Sequence, residues 1–264
     1  METKKQACAP RTKKFDKEAF AKIDGTEIRW LGNSGALINS RGINIMIDPL
    51  LKGFDMPLLI DMPIETSSIP SLDAVLITHS DNDHFSKITC EEVKAVCKEF
   101  HAPHYVASLM KDIGIRGKGH DIHESFQVGN VKVTLTSADH AWQNEYPKYK
   151  TRKFKMEDYC GFWLDTPDGS IWAVGDSRLL EEQLQMPAPK IMLFDFSDSA
   201  WHIGFQGAVK MANTYPNTKL ILWHWGSVDA PNMKEFNGDP KELSKNIVNP
   251  ERIIVIAPGD AYKL

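Results

Sequence analysis

A succession of short apolar runs, none long enough to span a membrane, leaves this chain few ways to bury them other than strands in packed sheets. IRWLG (28–32), GALINS (35–40) and INIMID (43–48) follow one another through tight turns at Gly32-Asn33-Ser34-Gly35 and Ser40-Arg41-Gly42. AVLITH (74–79), HYVAS (104–108) and VKVTLTSA (131–138) continue the strand pattern. GFWLDT (161–166) and SIWAVG (170–175) flank Pro167-Asp168-Gly169, a hairpin signal. IMLFDF (191–196), LILWHW (220–225) and RIIVIAP (252–258) read as buried strands. Val93, Val96, Cys97 and Phe100 recur at helical spacing and predict a helix over 90–100. Ala208, Met211, Ala212 and Tyr215 predict another. Early hairpins followed by strands alternating with helices predict an α/β chain: two packed sheets with helices outside.

The chain has 264 residues, with Lys+Arg 31 against Asp+Glu 35. That length can bury a large core without staples. The mild acidity supplies no global field for nucleic acid, which is not expected as a partner. The opening METKKQACAPRTKKFDKEAF is too polar for a secretory leader, and residues 1–20 read as an arm ahead of a single domain over 21–264. Cys8, Cys90, Cys97 and Cys160 form no C-x-x-C pair and are too sparse for a disulfide framework. They are expected as reduced thiols in a cytoplasmic protein.

The segment Thr78-His79-Ser80-Asp81-Asn82-Asp83-His84-Phe85 directly follows a buried strand. In an extended stretch His79 and Asp81 point to the same side, and a turn can aim the adjacent Asp83 and His84 elsewhere. Imidazoles and carboxylates packed this tightly repel and desolvate one another unless a cation sits among them. Later strands also end on single ligand-type residues: His140 after VTLTSAD, Asp176 after IWAVG and His224 after LILW. The set divides into His79, Asp81 and His140 for one ion and Asp83, His84 and His224 for another, with Asp176 able to bridge through its two oxygens.

This ordered pattern, H-x-[H/D]-x-D-H, a lone His, Gly-Asp-Ser and a last His, resembles the metallo-β-lactamase superfamily. Asp73 to His79, Asn82-Asp83-His84, Gly175-Asp176-Ser177, Trp30 to Gly35 and Ile47-Asp48-Pro49 are similar to its ascorbate-6-phosphate lactonase-like branch. The resemblance covers roughly residues 26–260 and implies an αβ/βα four-layer sandwich with metals between the sheet edges. It also implies that Asp48 steadies the ligands from behind. The family usually has His where this chain has Asp81. A carboxylate there shifts preference from zinc toward manganese or iron, and flavodiiron proteins of the same superfamily carry Glu at that place.

The resemblance implies a metal-dependent hydrolase with two divalent ions, zinc or manganese, with iron as the alternative. Two cations about 3.5–4 Å apart share a water and lower its pKa from 15.7 toward neutrality. Asp83 would hold the second metal and orient the nucleophile. Neither Gly-x-Ser-x-Gly nor a phosphate loop is present. The expected substrate is a lactone, other ester, amide or phosphodiester of a small anionic compound. A di-iron oxygen-handling protein and a non-catalytic metal-binding scaffold are the alternatives.

Lys148-Tyr149-Lys150-Thr151-Arg152-Lys153-Phe154-Lys155 carries five bases in eight residues. It reads as a solvated loop or as a flap that draws an anionic substrate. Trp142, Tyr146, Lys148, His202 and Trp225 are candidates for the substrate pocket, with Gln143, Ser227 and Asp229 beside them. His101, His104, His120 and His123 are expected on the surface or in loops. A homo-oligomer is left open.

Overall fold

The structure, a computed structural model, describes residues 6–264. Hydrophobic alternation builds two seven-stranded sheets. The first holds β1 (Thr26–Gly32), β2 (Gly35–Ser40), β3 (Ile43–Ile47), β4 (Leu72–Leu76), β5 (Cys97–Pro103) and β6 (Lys118–His120), with the C-terminal strand β14 (Ala261–Lys263) on the outer edge of β1. The second runs from β7 (Ser125–Val128) through β8 (Val131–Ser137), β9 (Cys160–Thr166), β10 (Gly169–Ala173), β11 (Ile191–Phe194) and β12 (Lys219–Leu222) to β13 (Ile253–Ile254).

Alternate residues of each strand divide between two cores. Ile28, Trp30, Ile38, Ile45, Ile47 and Leu76 point inward and meet Val133, Leu135, Phe162 and Leu164 of the other sheet. Leu31, Leu37, Met46 and Val75 point outward, against α1 (Lys87–Val93) and α2 (His104–Met110). On the second sheet, α3 (Phe205–Thr214) buries Ala208, Met211 and Ala212. A fourth helix, α4 (Pro240–Ser244), inserts Leu243. Helices outside two sheets are the layered arrangement that the patterning predicts.

Direction matters more than layering for the site. β3, β4 and β5 are parallel, and so are β10, β11 and β12. β8 is antiparallel to β9, which is antiparallel to β10, so β8 runs with β10. The carboxyl ends of β3, β4, β8, β10, β11 and β12 therefore open on one edge of the sandwich.

Two local expectations need correcting. The apolar stripe over 90–100 straddles a turn: α1 ends at Val93, and Cys97 and Phe100 belong to β5. Leu72 N–H donates to Val96 O (2.8 Å) at the start of the parallel pairing with β4. HYVAS begins a helix rather than a strand, because Pro103 fixes the chain just ahead of it and Val106 and Met110 then share one buried face. The hairpin at Pro167-Asp168 is as expected, with Gly169 opposite Thr166.

Residues 6–15 lie along the sandwich rather than away from it. Ala9 N–H donates to Gly226 O (2.8 Å), Lys13 N–H to Pro258 O (2.9 Å) and Phe15 N–H to Pro63 O (3.0 Å). A 3-10 turn follows at Lys17–Phe20. All four cysteines are free thiols. Among the described residues no helix is long and apolar enough to cross a membrane.

Candidate metal centre

Each candidate ligand sits just past a strand end on the shared edge. His79, Asp81, Asp83 and His84 occupy the loop between β4 and α1, and His140, Asp176 and His224 follow β8, β10 and β12. Gly175 turns the chain into Asp176 at φ +75°, with Cys160 O only 2.5 Å from where a Cβ would stand, so only glycine fits there. His224 itself takes the left-handed region at φ +59°, with its N–H donating to Asn33 O (2.8 Å).

The seven side chains meet. His79, Asp81 and His140 bring one ligand atom each within 4.8 Å of one another, and Asp83, His84 and His224 do the same. Asp176 lies between the two groups. Its Oδ2 is 3.0 Å from His84 Nε2, 3.3 Å from His224 Nε2 and 4.0 Å from His140 Nε2. Asp81 Oδ2 is 3.4 Å from His79 Nε2 and 3.5 Å from His140 Nε2.

The other nitrogen of every ring is anchored. His84 Nδ1–H donates to Asp48 Oδ2 (2.8 Å), His140 Nδ1–H to Trp201 O (2.6 Å) and His224 Nδ1–H to Glu235 O (3.0 Å). Asp48 also accepts from Thr78 N–H (2.8 Å) and from the Thr78 hydroxyl (2.6 Å). With its proton committed to that carboxylate, Thr78 Oγ1 can only accept from His79 Nδ1–H (3.0 Å). These contacts fix one tautomer throughout and aim each Nε2 lone pair inward, as metal-binding imidazoles require.

The charge balance calls for cations. Burial opposes the imidazolium form of His84 and His224, yet the Asp176 carboxylate outweighs it and holds both well above the usual histidine range. Burial also opposes the carboxylate of Asp81, but His79 and His140 keep it well below its usual range. Asp176 is treated likewise by His224 and His84. Asp83 falls to about 2, burial being overcome by His84 and His224. Even so, His79 Nε2, His84 Nε2, His224 Nε2 and Asp176 Oδ1 are buried without a hydrogen-bond partner. Orphaned lone pairs converging with three acidic side chains fit divalent cations.

Further residues outside the seven shape the centre. Asp195, just past β11, accepts His202 Nδ1–H at 2.7 Å, and His202 Nε2 comes within 3.7 Å of Asp176 Oδ2. His202 thus lies at the centre, as its position after a buried strand suggests. Asp195 obeys the same strand-end rule and could have been found by it. Asn33, at the turn after β1, donates through Nδ2 to Asp83 Oδ2 (3.2 Å), and Gln143 Nε2–H donates to Asp81 Oδ1 (2.6 Å).

The remaining pocket candidates divide. Trp225 is a correction: it is buried in the core, stacked on Trp30 with centroids 6.2 Å apart, and its indole N–H bonds Leu222 O. Apolar packing of that kind leaves it no face for a substrate. Trp142 donates its indole N–H to Asp81 Oδ2 (2.7 Å). Tyr146 is exposed and borders a cavity of about 270 Å³ with Tyr149, Lys150, Arg152 and Lys153. Lys148 lies outside that lining, its amine over the Tyr149 ring at 4.7 Å. Gln143 joins the cavity to Asp81. His101 and His120 are not surface histidines; both are buried and paired with each other.

The fold and the centre match a known family. The family model of the beta-lactamase superfamily domain matches residues 43–225, a span that holds all seven convergent side chains. The chain belongs to the metallo-β-lactamase superfamily. Among individual relatives, it is 24% identical to a UPF0173 metal-dependent hydrolase of Methanosarcina barkeri over 245 residues, 91% of this chain and 99% of that protein. The solved structure of Igni18, a metallo hydrolase from the hyperthermophilic archaeon Ignicoccus hospitalis, superposes with a TM-score of 0.71 at 18% identity, covering 91% of this chain and 99% of that one. CmlA, a diiron β-hydroxylase from Streptomyces venezuelae, gives 0.69 at 12% identity, covering 92% of this chain and 55% of that one.

Proposed function

We propose that this protein is a metal-dependent hydrolase with two divalent cations, zinc or manganese, cleaving a lactone, other ester, amide or phosphodiester of a small anionic substrate. His79, Asp81 and His140 would hold one cation, Asp83, His84 and His224 the other, and Asp176 would touch both. When bound, such a pair supplies Lewis acidity and a water acidified toward neutral pH. The observation that carries the reading is the convergence of buried, partnerless Nε2 atoms from separate strand ends on a shared carboxylate. The relatives named as metal-dependent hydrolases support it.

The chain's own residues supply the rest. Asp83 Oδ2, steadied by Asn33, faces the same space and is the acceptor for a proton from the attacking water. His202, fixed by Asp195, presents Nε2 beside Asp176 and is placed to pass a proton to a leaving group. The basic cavity beside Gln143 suits an anionic substrate.

The test is hydrolysis of lactone, ester, amide and phosphodiester panels by purified protein. Activity lost to a chelator and regained with manganese or zinc supports the reading; a fully metallated protein inactive on every panel opposes it. The carboxylate at Asp81 favours a second reading, a di-iron oxygen-handling protein, as does the likeness to a diiron hydroxylase. Iron near two per chain in gently purified protein, with redox-sensitive spectra, would select it.

A further inference from the structure

Asp81 is a ligand candidate whose two carboxylate oxygens are each held by a neighbouring side chain. Trp142 Nε1–H donates to its Oδ2 at 2.7 Å and Gln143 Nε2–H to its Oδ1 at 2.6 Å. Gln143 is itself fixed. Its Oε1 accepts the Tyr159 hydroxyl at 2.5 Å, and both residues are buried. That bond sets the amide orientation, since a carboxylate only accepts and the flipped amide would turn oxygen toward oxygen. One short segment delivers the whole arrangement: the 3-10 turn Trp142–Glu145 begins two residues after His140, and Trp142 N–H donates to His140 O (2.7 Å).

We propose that Trp142 and Gln143 are positioning residues for the cation held through Asp81. Their N–H groups occupy a lone pair on each carboxylate oxygen. Oδ1 is thereby turned away toward Gln143, while Oδ2 keeps one lone pair facing His79 and His140. An imidazole needs no such clamp, because its ring offers a single inward lone pair. A carboxylate can rotate or bind through both oxygens, and hydrogen bonds to its ligand oxygens restrict that freedom. The clamp is the structural counterpart of having Asp at position 81, and it rests on the reading that Asp81 is a ligand.

The test measures binding, not turnover. Metal-free full-length protein is titrated with Co²⁺ and Zn²⁺ against a chromophoric chelator, and the Co²⁺ d–d spectrum is recorded. The variants are Trp142→Phe, Gln143→Met, Asp81→Ala, and the first two again in an Asp81→His background. Each clamp variant is expected to weaken one cation by about tenfold, to leave the other unchanged and to shift the Co²⁺ spectrum. In the Asp81→His background both substitutions should lose most of that effect, which a general structural role would not. Unchanged affinities and spectrum in the clamp variants, with Asp81→Ala still removing one cation, overturn the clamp and leave the metal centre standing. Both cations retained in Asp81→Ala overturn the two together. Should Gln143→Met fail to fold, Trp142→Phe, at a half-buried site, decides alone.

Discussion

Asp48 shows how much one side chain can do at this centre. It leaves β3 in the left-handed region at φ +41°, which a short polar residue tolerates better than most. In that conformation its carboxylate takes the Thr78 N–H, the Thr78 hydroxyl and His84 Nδ1–H together. It therefore orients His84 directly and His79 through Thr78. Asp48→Ala should weaken cation binding by about 10- to 100-fold while leaving both cations able to bind at saturation, measured by chelator competition. Affinity within about threefold of wild type would show that the rings are oriented without it. At this scale the sequence was informative wherever a strand ended on an acid or an imidazole. His79, His140 and Asp176 follow apolar runs that must be buried, so their positions at the sheet edge follow. Trp225 misled for a physical reason: His224 turns the chain in the left-handed region just past β12, and that turn returns the next residue to the core against Trp30. The anchors Trp201 O and Glu235 O are backbone atoms, which carry no residue signal.

At the scale of elements, the edge where the chain passes from β6 to β7 carries a second polar cluster. His101 of β5 donates Nε2–H to Glu99 Oε2 (3.0 Å), and His120, ending β6, donates Nδ1–H to Glu124 Oε1 (2.9 Å). Their remaining nitrogens meet at 2.9 Å, and Phe126 of β7 stacks on both rings. One proton between those nitrogens makes a hydrogen bond, whereas two would repel, so the two rings resist being charged together. Burial and the His120 charge, opposed by Glu99, accordingly push His101 down to about 4. Lys118, bonded to Glu99 at 2.6 Å, and the exposed pair His104 and Asp121 are the other charges nearby. A folded-state value below the unfolded one gives stability that is complete above about pH 6.5 and lost as pH falls toward 4, at about 1.4 kcal/mol per unit of difference. Denaturant unfolding at about pH 7.5 and 4.5 should show wild type losing more stability on acidification than His101→Asn. Equal losses would mean that the cluster is not under this strain. This cluster was hidden because parallel pairing places residues that lie far apart in sequence side by side. For the same reason, the stripe over 90–100 read as one helix: helix and strand periods cannot be separated across a three-residue turn.

For the whole molecule, the governing fact is direction. β3, β4, β8, β10, β11 and β12 all run toward one edge, so residues from Asp48 to His224 reach a common space although the chain visits both sheets to supply them. The two-sheet class was readable from hairpins giving way to strand–helix alternation. The edge strands β6, β7 and β14 were not, because they are short and half exposed and carry little apolar patterning. The centre also has a global consequence: its carboxylates draw protons onto buried imidazoles when no cation is bound, so cation and proton compete for the same atoms. The most direct measurement is metal content by mass spectrometry after reconstitution with zinc or manganese and removal of excess ion, on wild type, His140→Ala and His224→Ala. The expected contents are near two cations per chain in wild type and near one in each variant. A wild-type value at or below one, or two cations retained after His224→Ala, is incompatible with seven side chains gripping a pair of cations.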